Sequence, residues 1–180
     1  MFASIAAARK GHEVLVFEKN EKLGKKLFIT GKGRCNITNA CDMDTLFSSI
    51  VSNSKFLYSS FYGYSNQDVI DFFEGLGVRT KIERGERVFP ASDHSSDVIR
   101  AMEKEMRRLG VKAELHAEVT AVRSGKGRFD HIELSGGRKV TGDACIVATG
   151  GLSYQSTGST GDGYRFAEEN GHGITERMPS

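Results

Sequence analysis

The run Val14-Leu15-Val16-Phe17-Glu18, four apolar residues ending in an acid, most constrains what this chain can fold into. It is short, β-branched and aromatic, and Gly11 opens it, which marks a buried parallel strand rather than a helix. Met1 to Lys10, MFASIAAARK, is rich in helix formers and passes through Gly11 straight into that strand. Helix, glycine and strand make the second half of a βαβ unit, so an α/β fold with a parallel sheet is predicted. No strand and no G-x-G-x-x-G turn stand ahead of the helix, and the expectation is that the first strand of the sheet is missing from an amino-terminally truncated chain. A targeting peptide is the poorer reading of this segment, given its small apolar face and lack of a cleavage-site pattern.

Glu18 sits at the carboxyl end of the strand, where open α/β sheets bind ligands. A carboxylate there can accept two hydrogen bonds from the hydroxyls of an adenosine ribose, although a solvated residue at a strand exit is an equal alternative. The loop that follows, Lys19 to Asn39, is basic and glycine-rich.

The 180 residues suffice for one domain or a domain with a small appendage. With 25 Lys plus Arg against 23 Asp plus Glu, no global field argues for nucleic acid or a membrane surface. Cys35, Cys41 and Cys145 form no C-x-x-C pair, and an odd count without a signal peptide suits a reducing cytoplasm. No window is apolar enough to span a bilayer.

Helices are predicted over Asp42 to Ser54 and Asn66 to Leu76, the second carrying Val69, Ile70, Phe72, Phe73 and Leu76 at helical spacing before Gly77. The aromatic stripe FLYSSFYGYS between them reads as core packing, with a flavin or substrate wall as the alternative. Val78 to Ile82 and Arg87 to Phe89 are short strands around the turn Arg84-Gly85-Glu86, ended by Pro90. Asp93 or Ser95 can cap a helix from Ser96 to Leu109 whose buried face holds Val98, Ile99, Met102, Met106 and Leu109.

After Gly110 the period becomes two. Val111 to Leu115, Glu118 to Arg123, Phe129 to Leu134 and Lys139 to Thr141 read as a small antiparallel meander over 111–141, with glycines at its turns. Asp143 to Ala148 reads as another buried strand, with Thr149, Gly150 and Gly151 at its carboxyl end, where small residues permit close backbone approach to a ligand. Ala-Thr-Gly-Gly alone has little specificity; the order of elements around it carries more. In STGSTGDGYRFAEENG a helix is predicted from Tyr164 to Asn170, which puts Asp162 and Gly163 where amides point outward. On the residues alone, a plain connector with Asp162 as helix cap is the better reading of that turn.

EKNEKLGKKLFITGKGRCNITN, IVATGG and STGSTGDGYRFAEENGH together resemble the bacterial NAD(P)/FAD-dependent oxidoreductases of the aminoacetone-oxidase type, which have the glutathione-reductase-like FAD-binding fold. GKGRCNITN is the most specific of the three. The resemblance implies a Rossmann-like FAD/NAD(P)-binding domain over residues 1–173 as an internal fragment, with 174–180 opening an absent substrate domain. It makes Glu18 the ribose ligand, puts Lys19 beside it, and places Gly24, Lys25 and Lys26 near the ribityl or diphosphate region. Gly31, Gly33, Arg34, Cys35 and Asn36 would line the flavin, where amides and a guanidinium stabilise charge near N1, with Thr38 and Asn39 closing the loop. Val119 would read the adenine edge through its backbone; Thr149 and Gly150 would be contacts at the next strand end, and Gly161, Asp162 and Gly163 would lie near the isoalloxazine.

The implied activity is FAD-dependent transfer of hydride or electrons from NAD(P)H through flavin to a small organic substrate or oxygen. A noncatalytic adenine-dinucleotide-binding remnant is the alternative, and a plain NAD-binding dehydrogenase domain is a third reading that the meander opposes. No catalytic acid, base or nucleophile stands out. Cys35 reads as packing rather than as a redox thiol, and the five histidines form no pair at metal-ligand spacing.

Overall fold

The computed structural model describes residues 1–177, which fall into two compact units. The first is built from Met1–Lys26 and the residues from Leu109 onward, the second from Leu27–Arg108. No helix among the described residues is long and apolar enough to cross a membrane.

The first unit opens on α1 (Phe2–Arg9), which buries Ser4 and Ile5. It stops where the amides of Gly11 and His12 turn back onto the carbonyls of Ala8 and Ala7, and Gly11 takes φ +86°. β1 (Leu15–Phe17) then pairs in parallel with β5 (Lys112–Glu114), Val16 opposite Ala113. The helix, glycine and strand thus stand as the sequence predicts, in a Rossmann-like α/β arrangement. Two expectations change. β1 is half open, with Leu15 45% exposed, because it is hydrogen-bonded to a strand along one edge. The period-two run at Val111 to Leu115 belongs to this parallel pair rather than to the meander, since alternation fixes the faces of a strand and not its partner.

β6 (Val119–Gly125), β7 (Arg128–Leu134) and β8 (Lys139–Thr141) form the antiparallel meander, with Val122 opposite Ile132 and Ile132 opposite Val140. Lys126 and Gly127, both at positive φ, make the tight turn between the first two strands. Ala117, Ile132 and Leu134 form its core, packed on by Phe17, Val119, Val122, Phe129 and Val140. The strand expected over Asp143 to Ala148 is absent: the segment has no ladder partner among the described residues, and Ile146 is 69% exposed. An apolar run needs a neighbouring edge before it becomes a strand. α7 (Asp162–Glu169) buries Phe166 and is fastened to β6 by Arg165 donating to the Thr120 carbonyl and Asn170 to that of Val122.

α2 (Lys25–Ile29) leads the chain into the second unit, where a 3₁₀ turn over Thr30–Gly33 follows. A three-stranded antiparallel sheet runs β2 (Thr38–Asn39), β4 (Arg87–Pro90), β3 (Thr80–Glu83), with β4 central. α5 (Asn66–Gly75) starts in a Ser65/Asp68 capping box, and α6 (Ser95–Arg108) buries Val98, Ile99, Met102 and Met106. Val88, Phe89, Val98 and Cys35 are among its most buried residues.

The helix expected from Asp42 to Ser54 is shorter, α3 (Met43–Ser48), capped by the Asp42 carboxylate on the Thr45 amide. Its end comes where Ser48 and Ser49 hydroxyls bond back to the Thr45 carbonyl, ahead of β-branched Ile50 and Val51. The aromatic stripe falls on a 3₁₀ turn and α4 (Tyr58–Gly63), and it is not core: Phe56 is 80% exposed and Tyr62 72%. Its rings gather instead around Phe47, which meets Tyr58 edge-on at 4.5 Å and Phe61 at 5.8 Å. Asp93 does not cap α6, because its carboxylate pairs with Lys81 at 2.6 Å.

Candidate functional site

In the first unit the residues after β1 gather a glycine-rich loop around the strand end. The Oε1 of Glu18 accepts from both the backbone amide and the Nδ2 of Asn20, at 2.9 and 2.8 Å, while Oε2 carries no protein hydrogen bond among the described residues. One oxygen fixes the carboxylate, and the α-ammonium of Met1 interacts with the same group electrostatically. Asn20 Nδ2 also donates to the Thr157 carbonyl at 3.1 Å, and its Oδ1 accepts from Lys25 at 3.3 Å.

Two further cations hold the same loop. Lys19 donates to the Thr160 hydroxyl at 2.8 Å and to Asp162 at 2.9 Å; Lys26 donates to the Ser153 carbonyl and hydroxyl at 3.2 and 2.9 Å. Lys19, foremost, holds the Asp162 carboxyl below the usual carboxylate range, with the Thr160 hydroxyl and Arg165 adding to it. Gly161 precedes α7 in a left-handed conformation, so Asp162 begins the helix rather than capping it.

The glycines of this loop serve the protein's own packing. A Cβ on Gly150 would fall 2.8 Å from the Ser159 hydroxyl, on Gly163 2.8 Å from that of Thr149, and on Gly158 2.8 Å from Asn20 Nδ2. Close backbone approach, expected toward a ligand, is at these positions approach to neighbouring side chains. An open polar cleft of about 440 Å³ lies beside them, lined by Lys19, Asn20, His116, Glu118, Gln155 and Ser156 among others. A second of about 310 Å³ is walled by Val147, Thr149, Gly150, Gly151, Gly163 and Tyr164. Val119 opens β6 opposite Leu134, and Gly24 takes φ +70° just before α2.

The remaining predicted residues lie in the second unit. Gly31, Lys32, Gly33 and Cys35 all have positive φ, which folds GKGRC into a compact loop. Arg34 directs its donors to two carboxylates. Its guanidinium bonds both oxygens of Glu83, at 2.9 and 3.0 Å, reaches Asp93 at 3.1 Å, and lies 4.1 Å over the Phe89 ring. Bidentate carboxylate pairing satisfies the planar fork for which the resemblance implies a flavin contact. Arg34 first, then Lys81, lowers the Glu83 carboxyl, and Lys81 first lowers that of Asp93. Cys35 is fully buried, and burial pushes its thiol up, which makes it a packing residue. Asn36 is exposed; Thr38 and Asn39 form β2, where Asn39 donates to the Gly85 carbonyl.

Glu18, Lys19, Lys25, Lys26, Thr149, Gly150, Gly161, Asp162 and Gly163 therefore share the first unit's strand-end cluster, while Gly31, Gly33, Arg34, Cys35 and Asn36 share a loop of the second. Sequence reasoning missed Asn20, Ser153, Ser159 and Thr160. Asn20 could have been found by its place two residues after Glu18, since Asn readily bonds neighbouring groups at turns.

The description "HI0933-like protein Rossmann domain" matches residues 1–177. The chain is 36% identical over 182 residues to a 3-dehydro-bile acid delta(4,6)-reductase of Clostridium scindens, covering 99% of this chain and 43% of that protein. It is 29% identical over 171 residues to the ribosomal RNA dihydrouridine synthase of Escherichia coli, covering 95% of this chain and 42% of that protein. The crystal structure of Thermovibrio ammonificans THI4 superposes with a TM-score of 0.49 at 11% identity, over 74% of this chain and 42% of that one. The chain spans less than half the length of the curated relatives it matches.

Proposed function

The chain belongs to the HI0933-like Rossmann-domain family, and from that premise we propose that its first unit holds the adenosine end of FAD in a flavin-dependent oxidoreductase. The observation that carries the reading is the Glu18 carboxylate at the end of a parallel strand, with Oε1 locked by Asn20 and Oε2 without a protein hydrogen bond among the described residues. A ribose diol needs such an acceptor. A polar cleft of about 440 Å³, lined by Asn20, His116, Gln155 and Ser156 among others, adjoins the strand end and suits a nucleoside.

Both relatives' names describe loss of carbon–carbon unsaturation, in a 3-dehydro bile acid and in the conversion of uridine to dihydrouridine. We take the substrate class to be a carbon–carbon double bond activated by a neighbouring carbonyl. Bound FAD, reduced by NAD(P)H, would supply hydride to one carbon of that bond while a proton completes the other. The work of this chain is to fix the adenosine end so that the reactive ring is held in place. A small-molecule substrate is favoured by the higher identity of the bile acid reductase. Oxygen as acceptor, as the aminoacetone-oxidase resemblance implies, is a second reading, and a noncatalytic dinucleotide-binding remnant is a third.

The test is the visible spectrum of the purified protein after incubation with FAD and desalting. Retained flavin bands support the reading, and a further loss of those bands on adding NAD(P)H under argon supports the donor. No retained flavin refutes it.

A further inference from the structure

The Asn20 side chain hydrogen-bonds both Glu18 and the loop from Ser153 to Thr160. All of its polar groups are engaged. The amide N–H and one Nδ2 bond go to Glu18 Oε1, the other Nδ2 bond goes to the Thr157 carbonyl, Oδ1 accepts from Lys25, and the backbone carbonyl accepts from the His116 amide at 3.1 Å. The orientation of the carboxamide follows from these partners, because the flipped form would set its oxygen against a carboxylate and a carbonyl. Gly158, at φ +99°, leaves room for Asn20 Nδ2, which any side chain there would meet at 2.8 Å.

Resting on the FAD reading above, we propose that Asn20 is a positioning residue that couples the carboxylate of Glu18 to closure of the Ser153–Thr160 loop. A ligand hydroxyl on Oε2 holds the carboxylate in the orientation in which Oε1 accepts from Asn20, and Asn20 in turn holds Thr157. Lys19 and Lys26 tie the loop without touching Glu18, so removing Asn20 uncouples the two without freeing the loop altogether.

The experiment uses Asn20→Ala, with Asn20→Asp as a second variant of nearly the same volume that lacks the donor and sets a like charge beside Glu18. Flavin fluorescence titrations compare FAD with FMN, which has no adenosine. Chymotryptic cleavage after Tyr154, 69% exposed within the loop, is timed with and without FAD. Both variants are expected to weaken FAD about tenfold, the equivalent of one buried hydrogen bond, with FMN affinity unchanged. Cleavage should quicken several-fold, and FAD should slow it in the parent protein but not in either variant. A parental FAD-to-FMN ratio with parental cleavage in both variants overturns the proposal, as does an equal loss of both flavins, which would mean general loosening. If the parent binds neither flavin, the functional reading fails, and the cleavage rates alone decide the tie between Asn20 and the loop.

Discussion

Gly31 and Gly33 stand two residues apart in one loop, and the same substitution should affect them very differently. Both have positive φ, +55° and +84°, so an alanine at either pays a left-handed penalty of about 1–2 kcal/mol. At Gly33 a Cβ would meet nothing within 4 Å. At Gly31 it would lie 2.7 Å from the backbone nitrogen of Asn36 and 3.1 Å from Phe89 Cε1. That nitrogen cannot move aside easily: the Cys35 amide before it is bonded to the Thr30 carbonyl at 3.0 Å, and the Ile37 amide after it to the Val88 carbonyl at 2.8 Å. The overlap adds roughly 1–3 kcal/mol, the usual range for overpacking. Gly31→Ala should therefore lose about 2–5 kcal/mol of stability and Gly33→Ala about 1–2. Urea denaturation followed by far-ultraviolet circular dichroism, with slopes compared, measures both. Equal losses, or a Gly31→Ala loss below about 1 kcal/mol, would refute the argument that close approach to Asn36 fixes this glycine.

Glu18→Ala should weaken FAD by about 1–3 kcal/mol through lost ribose hydrogen bonds, with FMN unaffected; unchanged FAD affinity in a titration would remove Glu18 from the site. Glu83 and Asp93 have carboxyls held below their usual range by Arg34 and Lys81, so their contribution is present above the unfolded values and lost as pH falls through the folded ones. Denaturation midpoints should be flat near neutrality and fall below about pH 4, less steeply in Asp93→Asn; the same slope in that variant would exclude the network as the cause. Cys35, buried and with its thiol pushed up, should resist Ellman's reagent until denaturant is added, while Cys145, exposed although burial also pushes its thiol up, should react in the native protein. Native reaction at Cys35 would contradict its packing role.

Elements with strong local signals are legible in the amino-acid sequence. α1 running through Gly11 into β1, α5 with its 3.6-residue spacing, the β3/β4 hairpin and the buried stripe of α6 all follow from propensity, periodicity and caps within one short window. Pairing is not legible in the same way. β5 alternates as a meander strand does, yet its ladder lies with β1, almost a hundred residues earlier by register, Leu15 opposite Lys112. Asp143 to Ala148 reads as a strand by composition and has no edge to join among the described residues. The aromatic stripe misleads for a related reason: spacing on a six-residue helix shows which rings meet each other, not whether a core covers them.

The site divides along the same line. Glu18 and Lys19 are visible because strand-end acid and basic loop are adjacent in sequence, whereas Asn20 acquires its role from a carbonyl 137 positions away. Charge alone does not reveal which groups are free. Arg34 and Asp162, the two charged candidates for flavin contact, are paired within the protein, one with Glu83 and Asp93 and the other with Lys19. An ion pair already made in the protein offers a ligand little, because breaking it sacrifices what the new contact gains. On the proposed reading, recognition in the first unit would concentrate on Glu18 Oε2, which has no protein hydrogen bond among the described residues, and on hydroxyls and amides of the loop around it. On that reading such a site would select for the adenosine end of a ligand. Discrimination between FAD and FMN, rather than flavin affinity as such, is therefore the quantity in which these residues should declare themselves.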